Sequence, residues 1–140
     1  MAFTTIAQAR QFILAGNARV TLVSKKSGAR FTYRVRRPSL DKPWFVSVLT
    51  GSDNESDYSF LGTVFGDGHF KLSAKSKIGA SAPSAVAWAW FAKVLVHPMP
   101  NLPDSIEVHH EGRCGRCGRA LTVPESIESG FGPECINHVH

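Results

Sequence analysis

The chain opens on a helical spacing. Ile6, Ala9, Phe12 and Ile13 recur at intervals of three and four and make one apolar stripe. Thr5 stands where an N-cap would, Gln8 three residues later completes a capping box, and Gly16 follows Ala15 as a stop signal. The period then falls to two. "ARVTLVSKKSGARFTYRVRR" alternates apolar and polar residues on both sides of a turn at Lys25–Gly28 and predicts two strands of a hairpin. "WFVSVLT" reads as a third strand, "GSDNESD" as an acidic loop, "YSFLGTVF" as a fourth strand, "GDG" as a tight turn and "HFKLSAK" as a fifth strand.

The period lengthens again in "SKIGASAPSAVAWAWFAKVLVHP", where Trp88, Phe91, Ala92 and Leu95 fall on one helical face between a Ser/Pro start and the Pro98 stop. Trp88 and Trp90, two apart, cannot share a face, so Trp88 is expected in the core and Trp90 on the surface. "HPMPNLPDS" is a proline-rich link, and "IEVHH" a short strand leading into a cysteine-bearing tail. The predicted class is α+β. An antiparallel five-stranded meander carries an N-terminal helix and a second helix packed on the sheet, over residues 1–100, with a small metal-binding unit over residues 101–140.

Composition adds little except in its distribution. The net charge is +5, yet the first 50 residues carry nine lysines and arginines against Asp41 alone. In "ARFTYRVRR" the two-residue period places Arg30, Thr32, Arg34 and Arg36 on one face and Phe31, Tyr33 and Val35 on the other. Arg19, Lys25, Lys26 and Arg37 add to the same region. Such a stripe can track a phosphate backbone, releasing counterions, with little sequence specificity because the hairpin's aromatics point away from it. The plainer reading is a solvated strand face whose arginines pair with the acids of "GSDNESD". No apolar run approaches the roughly 20 residues of a membrane span, and the expected location is the cytoplasm.

The three cysteines all lie in the tail, in the pattern C-x2-C-x17-C-x2-H formed by Cys114, Cys117, Cys135 and His138. Zinc takes about four soft or borderline donors at tetrahedral corners, and a two-residue gap lets one tight turn aim two of them at one ion. Gly118 supports that turn, and Pro133 precedes a helical start that would set Cys135 and His138 on one face. A structural Zn2+ site is therefore predicted, with His140, His109 or His110 as reserve ligands. Arg113, Arg116 and Arg119 are placed to offset its negative charge. A redox C-x-x-C fits poorly, because glycines flank the pair where such motifs begin a helix. "HHEGRCGRC" has the letters of a zinc-deaminase motif without its spacing, and four protein ligands leave no open position for water.

"CGRCGRALTVPESIESGFGPEC", with "RVTLVSKKSGARFTYRV" and "PWFVSVLTGSDNESDYSFLGTV", resembles small phage and prophage-type proteins of uncharacterised function with a C-terminal zinc-binding motif. A cysteine knuckle, a loop or hairpin, and a ligand pair in the first turn of a short helix is also similar to the treble-clef group of zinc folds. The resemblance implies a mobile-element origin and a metal site, and no particular activity. Nothing in the sequence assembles a base, a nucleophile and an open metal position, so an enzyme is not expected. The expectation is a zinc-stabilised accessory protein binding nucleic acid through the basic hairpin. The alternative is a protein-interaction module, an inhibitor or adaptor of a host nucleoprotein or defence complex.

Overall fold

The computed structural model describes residues 3–53, 56–122 and 124–138. Asn54 and Glu55 of the acidic loop, and His140 among the reserve ligands, lie outside the described residues.

Helix α1, Ile6–Ile13, forms where its stripe and cap predict. The Thr5 hydroxyl accepts the Gln8 amide at 3.1 Å, and the Gln8 side chain reaches back to the Thr5 N–H, which satisfies two amide groups the first turn leaves open. Strands β1 (Asn17–Ser24) and β2 (Arg30–Arg36) form the hairpin, with Gly28 at φ 73° supplying the left-handed turn residue. Strands β3 (Trp44–Leu49), β4 (Tyr58–Val64) and β5 (Phe70–Leu72) continue the meander. The fifth strand is shorter than "HFKLSAK", because the Ser73 hydroxyl and carbonyl turn the chain away at Lys75 and Ser76.

The sheet has six antiparallel strands rather than five, in the order β5-β4-β3-β2-β1-β6. Strand β6, Ile106–His110, is the "IEVHH" segment. It does more than lead into the cysteines, since it pairs with β1 from Val20↔His110 to Ser24↔Ile106 and closes that edge of the sheet.

Helix α2, Pro83–Leu95, begins on its proline and buries Ala85, Trp88, Phe91, Ala92 and Leu95. Its Trp88 ring lies 4.8 Å from that of Tyr33 on β2, whose hydroxyl donates to the Ser84 carbonyl at 2.6 Å. Trp90 is 43% exposed, as its phase predicts. A short third helix, α3 (Pro124–Ser129), and a 3-10 turn, Cys135–His138, follow in the tail. One buried cluster joins Phe12 and Ile13 of α1, Trp88 and Phe91 of α2, the inward strand residues Val20, Val35 and Val46, and Cys114, Phe131 and Cys135 of the tail. Helices and tail thus gather on one face of the sheet. The tail is packed into the same core as the meander instead of hanging from the link.

Strand β4 contains one irregularity. Val46 pairs with Gly62 but Ser47 pairs with Phe60, so Leu61 is an extra residue in a β-bulge. Leu61 is fully buried, and the alternation is reset behind it. Phe60 and Tyr58 consequently share the outer face with Ser47 and Leu49, their partners on β3. Only glycine fits at position 62. A Cβ there would lie 2.3 Å from the Lys71 carbonyl oxygen and 2.8 Å from the Phe70 ring. Gly62→Ala must part β4 from β5, and is expected to cost about 1–3 kcal/mol, measurable by urea denaturation. A variant as stable as the parent would contradict this account of the bulge.

Candidate metal centre and cationic sheet face

The tail begins with a knuckle. The Cys114 amide donates to the Arg119 carbonyl and the Gly118 amide to the Cys114 carbonyl, each at 2.8 Å, with Gly118 at φ 80° completing the reversal. The Arg116 amide points at the Cys114 sulfur, 3.4 Å away. Downstream, the chain returns through α3, and Gly130 accepts the Gly115 amide at 2.9 Å. This contact lays the second half of the tail against the first. The Asn17 amide in turn donates to the Gly115 carbonyl at 2.8 Å, which ties the knuckle to the first strand.

These bonds bring Cys114, Cys117 and Cys135 together, their sulfurs all within 4.8 Å of one another. Thiolates about 2.3 Å from a tetrahedral ion stand about 3.8 Å apart, so a modest contraction converts this triangle into three corners of a metal site. Three sulfurs favour a soft or borderline ion. The donor set therefore fits a metal, and the three cysteines can hold one.

The electrostatics of the sulfurs differ. Burial opposes ionisation of Cys114, yet the amides of Gly132, Cys117 and Arg116, with the Cys117 thiol, outweigh it and bring the pKa down to about 7. Burial pushes the Cys135 thiol up, against the pull of the Arg116 guanidinium 3.5 Å from its sulfur. Of the three arginines expected to offset the site, Arg116 is the one seen to reach a sulfur. Arg113 instead donates to the Gly118 carbonyl of the knuckle.

The histidines are placed differently. His138 ends the 3-10 turn, exposed, and stands outside the group of three sulfurs; it lines a cavity of about 920 Å3 with Arg37, Arg116 and residues of α1. His109 faces outward on β6, opposite Thr21 and 3.5 Å from Glu107, away from the cysteines. His110 faces the core, with its Nε2 on the Ile127 carbonyl and its Nδ1 accepting the Gly112 amide at 2.9 Å. Both ring nitrogens of His110 are occupied, which removes it as a reserve ligand. A carbonyl partner requires the proton on Nε2, so this pattern is that of the neutral ring.

The predicted cationic residues also separate. Arg30, Arg34 and Arg36 project from the outer face of β2, and register places Arg19 of β1 opposite Arg34. Lys25 and Lys26 are exposed in the turn at the end of the hairpin. Arg37 is elsewhere: its guanidinium covers the Trp44 ring at 4.2 Å and donates to the carbonyls of Leu40 and Lys42, holding the loop between β2 and β3. Phe31 and Tyr33 turn to the core face, as expected from the alternation. Phe45, Tyr58 and Phe60 do not, and they were not apparent as part of the cationic face. The one sequence signal for them is the glycine inside "FLGTV", which marks a bulge within a strand.

Residues 107–140 match a family described as a family of unknown function, DUF6011. The match takes in all of β6 but its first residue and the whole cysteine unit, which makes that unit similar to the family. No curated protein and no solved structure matches the chain.

Two outcomes test this centre. Cys114 is fully buried, and Cys114→Ser should remove the chain's capacity to hold a metal, measured by elemental analysis after metal loading, and lower its stability; retention of one metal per chain would contradict the assignment. His110, whose pKa burial lowers from 6.5, remains neutral in the fold. The unfolded chain therefore takes up this proton first on acidification. The stability it contributes is complete above pH 6.5 and is lost as the pH falls toward the folded-state value. Its ring resonances in an NMR titration should move at lower pH than those of an unstructured histidine.

Proposed function

We propose that this protein is a non-enzymatic, zinc-stabilised nucleic-acid-binding module of phage type, which grips the phosphate backbone through its basic hairpin with little regard for sequence. The carrying observation is the outward alternation of Arg30, Arg34 and Arg36 on β2, with Arg19 opposite Arg34 and two lysines at the hairpin end. Arg34 and Arg36, at alternate residues of β2, are about 6.8 Å apart, a spacing able to follow successive phosphates, and Arg30 lies about twice that distance from Arg34 on the same face.

Zinc is the metal that three thiolates and one imidazole suit best. In this reading His138 is the fourth donor, swinging from its exposed position at the end of the turn begun by Cys135. Three free cysteines and a thiolate metal site suit a reducing, cytoplasmic compartment. Among the described residues no helix is long and apolar enough to cross a membrane.

A second reading, a module that captures a protein of a host nucleoprotein or defence complex, is favoured by a different surface. Val86 and Trp90, one turn apart on α2, are 53% and 43% exposed, and Met99, which lines a cavity with Trp90, is 60% exposed. A stoichiometric host complex that survives nuclease treatment would support it over the first.

The test of the first is fluorescence anisotropy of labelled DNA and RNA at graded salt. Affinity should fall linearly with the logarithm of salt concentration. Charge reversal at Arg30, Arg34 and Arg36 together should abolish binding while metal content and cooperative unfolding are retained. Absence of binding at low ionic strength would remove the proposal.

A further inference from the structure

The outer face of the sheet carries rings as well as charge. Both larger helices and the cysteine unit lie on the opposite side, in one cluster with the inward strand residues. On the outer side, register sets Arg36 beside Phe45, and Arg19, Arg34, Ser47 and Phe60 in one row across four strands. The Phe45 and Phe60 rings are neighbours, their centroids 6.2 Å apart, and the Arg34 guanidinium stacks on the Tyr58 ring at 4.6 Å. All three rings are half-buried, and neither phenylalanine belongs to the core cluster or to the apolar residues packed against it.

Two features argue that this is a built surface. A regular β4 would turn Phe60 inward with Gly62 and Val64; the bulge at Leu61 reverses that, and position 62 tolerates no side chain. The rings also stand among cations. An apolar protein partner would gain little from arginines beside the rings, whereas a strand with unpaired bases offers a flat π-face for each ring and a phosphate for each guanidinium. Duplex DNA offers the phosphates but keeps its bases stacked on one another.

From this juxtaposition we infer that the outer sheet face is a single-strand platform: Phe45 and Phe60 stack unpaired bases while Arg34 and Arg36 hold the flanking phosphates. The inference rests on the nucleic-acid reading above and narrows it to single-stranded ligands. Stacking on a ring is indifferent to base identity, so binding is tolerant of sequence.

The experiment uses the full-length, metal-loaded protein and four labelled probes: a dT20 strand, an rU20 strand, a 20-base-pair duplex, and an abasic deoxyribose-phosphate strand of matching length. The expected result is tighter binding of a base-bearing strand than of duplex or abasic strand by about tenfold or more. The dT20 and rU20 arms decide whether DNA or RNA is preferred. Phe45→Ala/Phe60→Ala should remove that preference without altering the salt slope, because it deletes no charge; Arg34→Gln/Arg36→Gln should flatten the slope. Abasic and base-bearing strands bound alike, with salt dependence intact, would overturn the platform and leave the phosphate-binding reading standing. No binding of any probe at low salt would overturn both. The abasic comparison needs no variant, so a folding defect in the alanine double substitution cannot obscure the outcome.

Discussion

The seat of the Phe12 ring is the contact on which the two halves of this molecule depend. The ring is fully buried, 5.1 Å from Phe3, 5.5 Å from His110 and 5.8 Å from Phe131. Gly115 of the knuckle and Gly130 after α3 approach it so closely that a Cβ on either would come within 2.7 Å of the ring. Those two glycines also hydrogen-bond to each other. One side chain of the first helix is therefore the surface on which the tail closes, and the cysteines meet because both strands of the tail converge on it. Dispersion and area burial hold this contact together, and the three sulfurs meet at the edge of the same apolar cluster.

The same packing leaves the sheet two-faced. With both larger helices and the tail on one side, the other side must be covered by its own side chains, and it is covered by a mixture uncommon on a simply solvated sheet. Arginine stems and aromatic rings shield the backbone, the Thr21 and Thr32 hydroxyls bond across strands at 2.8 Å, and guanidinium stacks on phenol. An arrangement of this kind keeps large apolar rings partly covered in the free protein and still within reach of a ligand.

Much of this was legible in the amino-acid sequence, where local rules govern. The Thr5 cap, the Gly28 turn, the Trp88 stripe and the knuckle each rest on residues within a few positions of one another. What escaped depends on distant partners. "IEVHH" becomes the sixth strand only because β1 offers it an edge more than 80 residues earlier in the chain. The outward turn of Phe60 depends on how β4 meets both β3 and β5, and alternation counted along β4 alone gives the opposite face. "PESIES" folds as a helix where a loop or hairpin was expected, with Glu125 in its first turn complementing the helix dipole. His138, three residues after Cys135, is exposed at the end of the 3-10 turn that Cys135 begins.

The pairing of β1 with β6 has a consequence for how the chain is made. Strand β1 is synthesised well before β6, and its outer hydrogen-bonding edge finds its partner only after residues 106–110 have left the ribosome. Until then the meander ends in an eight-residue strand with unmet amides, the kind of edge that recruits neighbouring chains into intermolecular ladders. The opposite edge, β5, is three residues long and offers little to recruit. The tail is thus a late-arriving guard for the most association-prone strand of the fold, and whatever anchors the tail shortens the time that edge is bare.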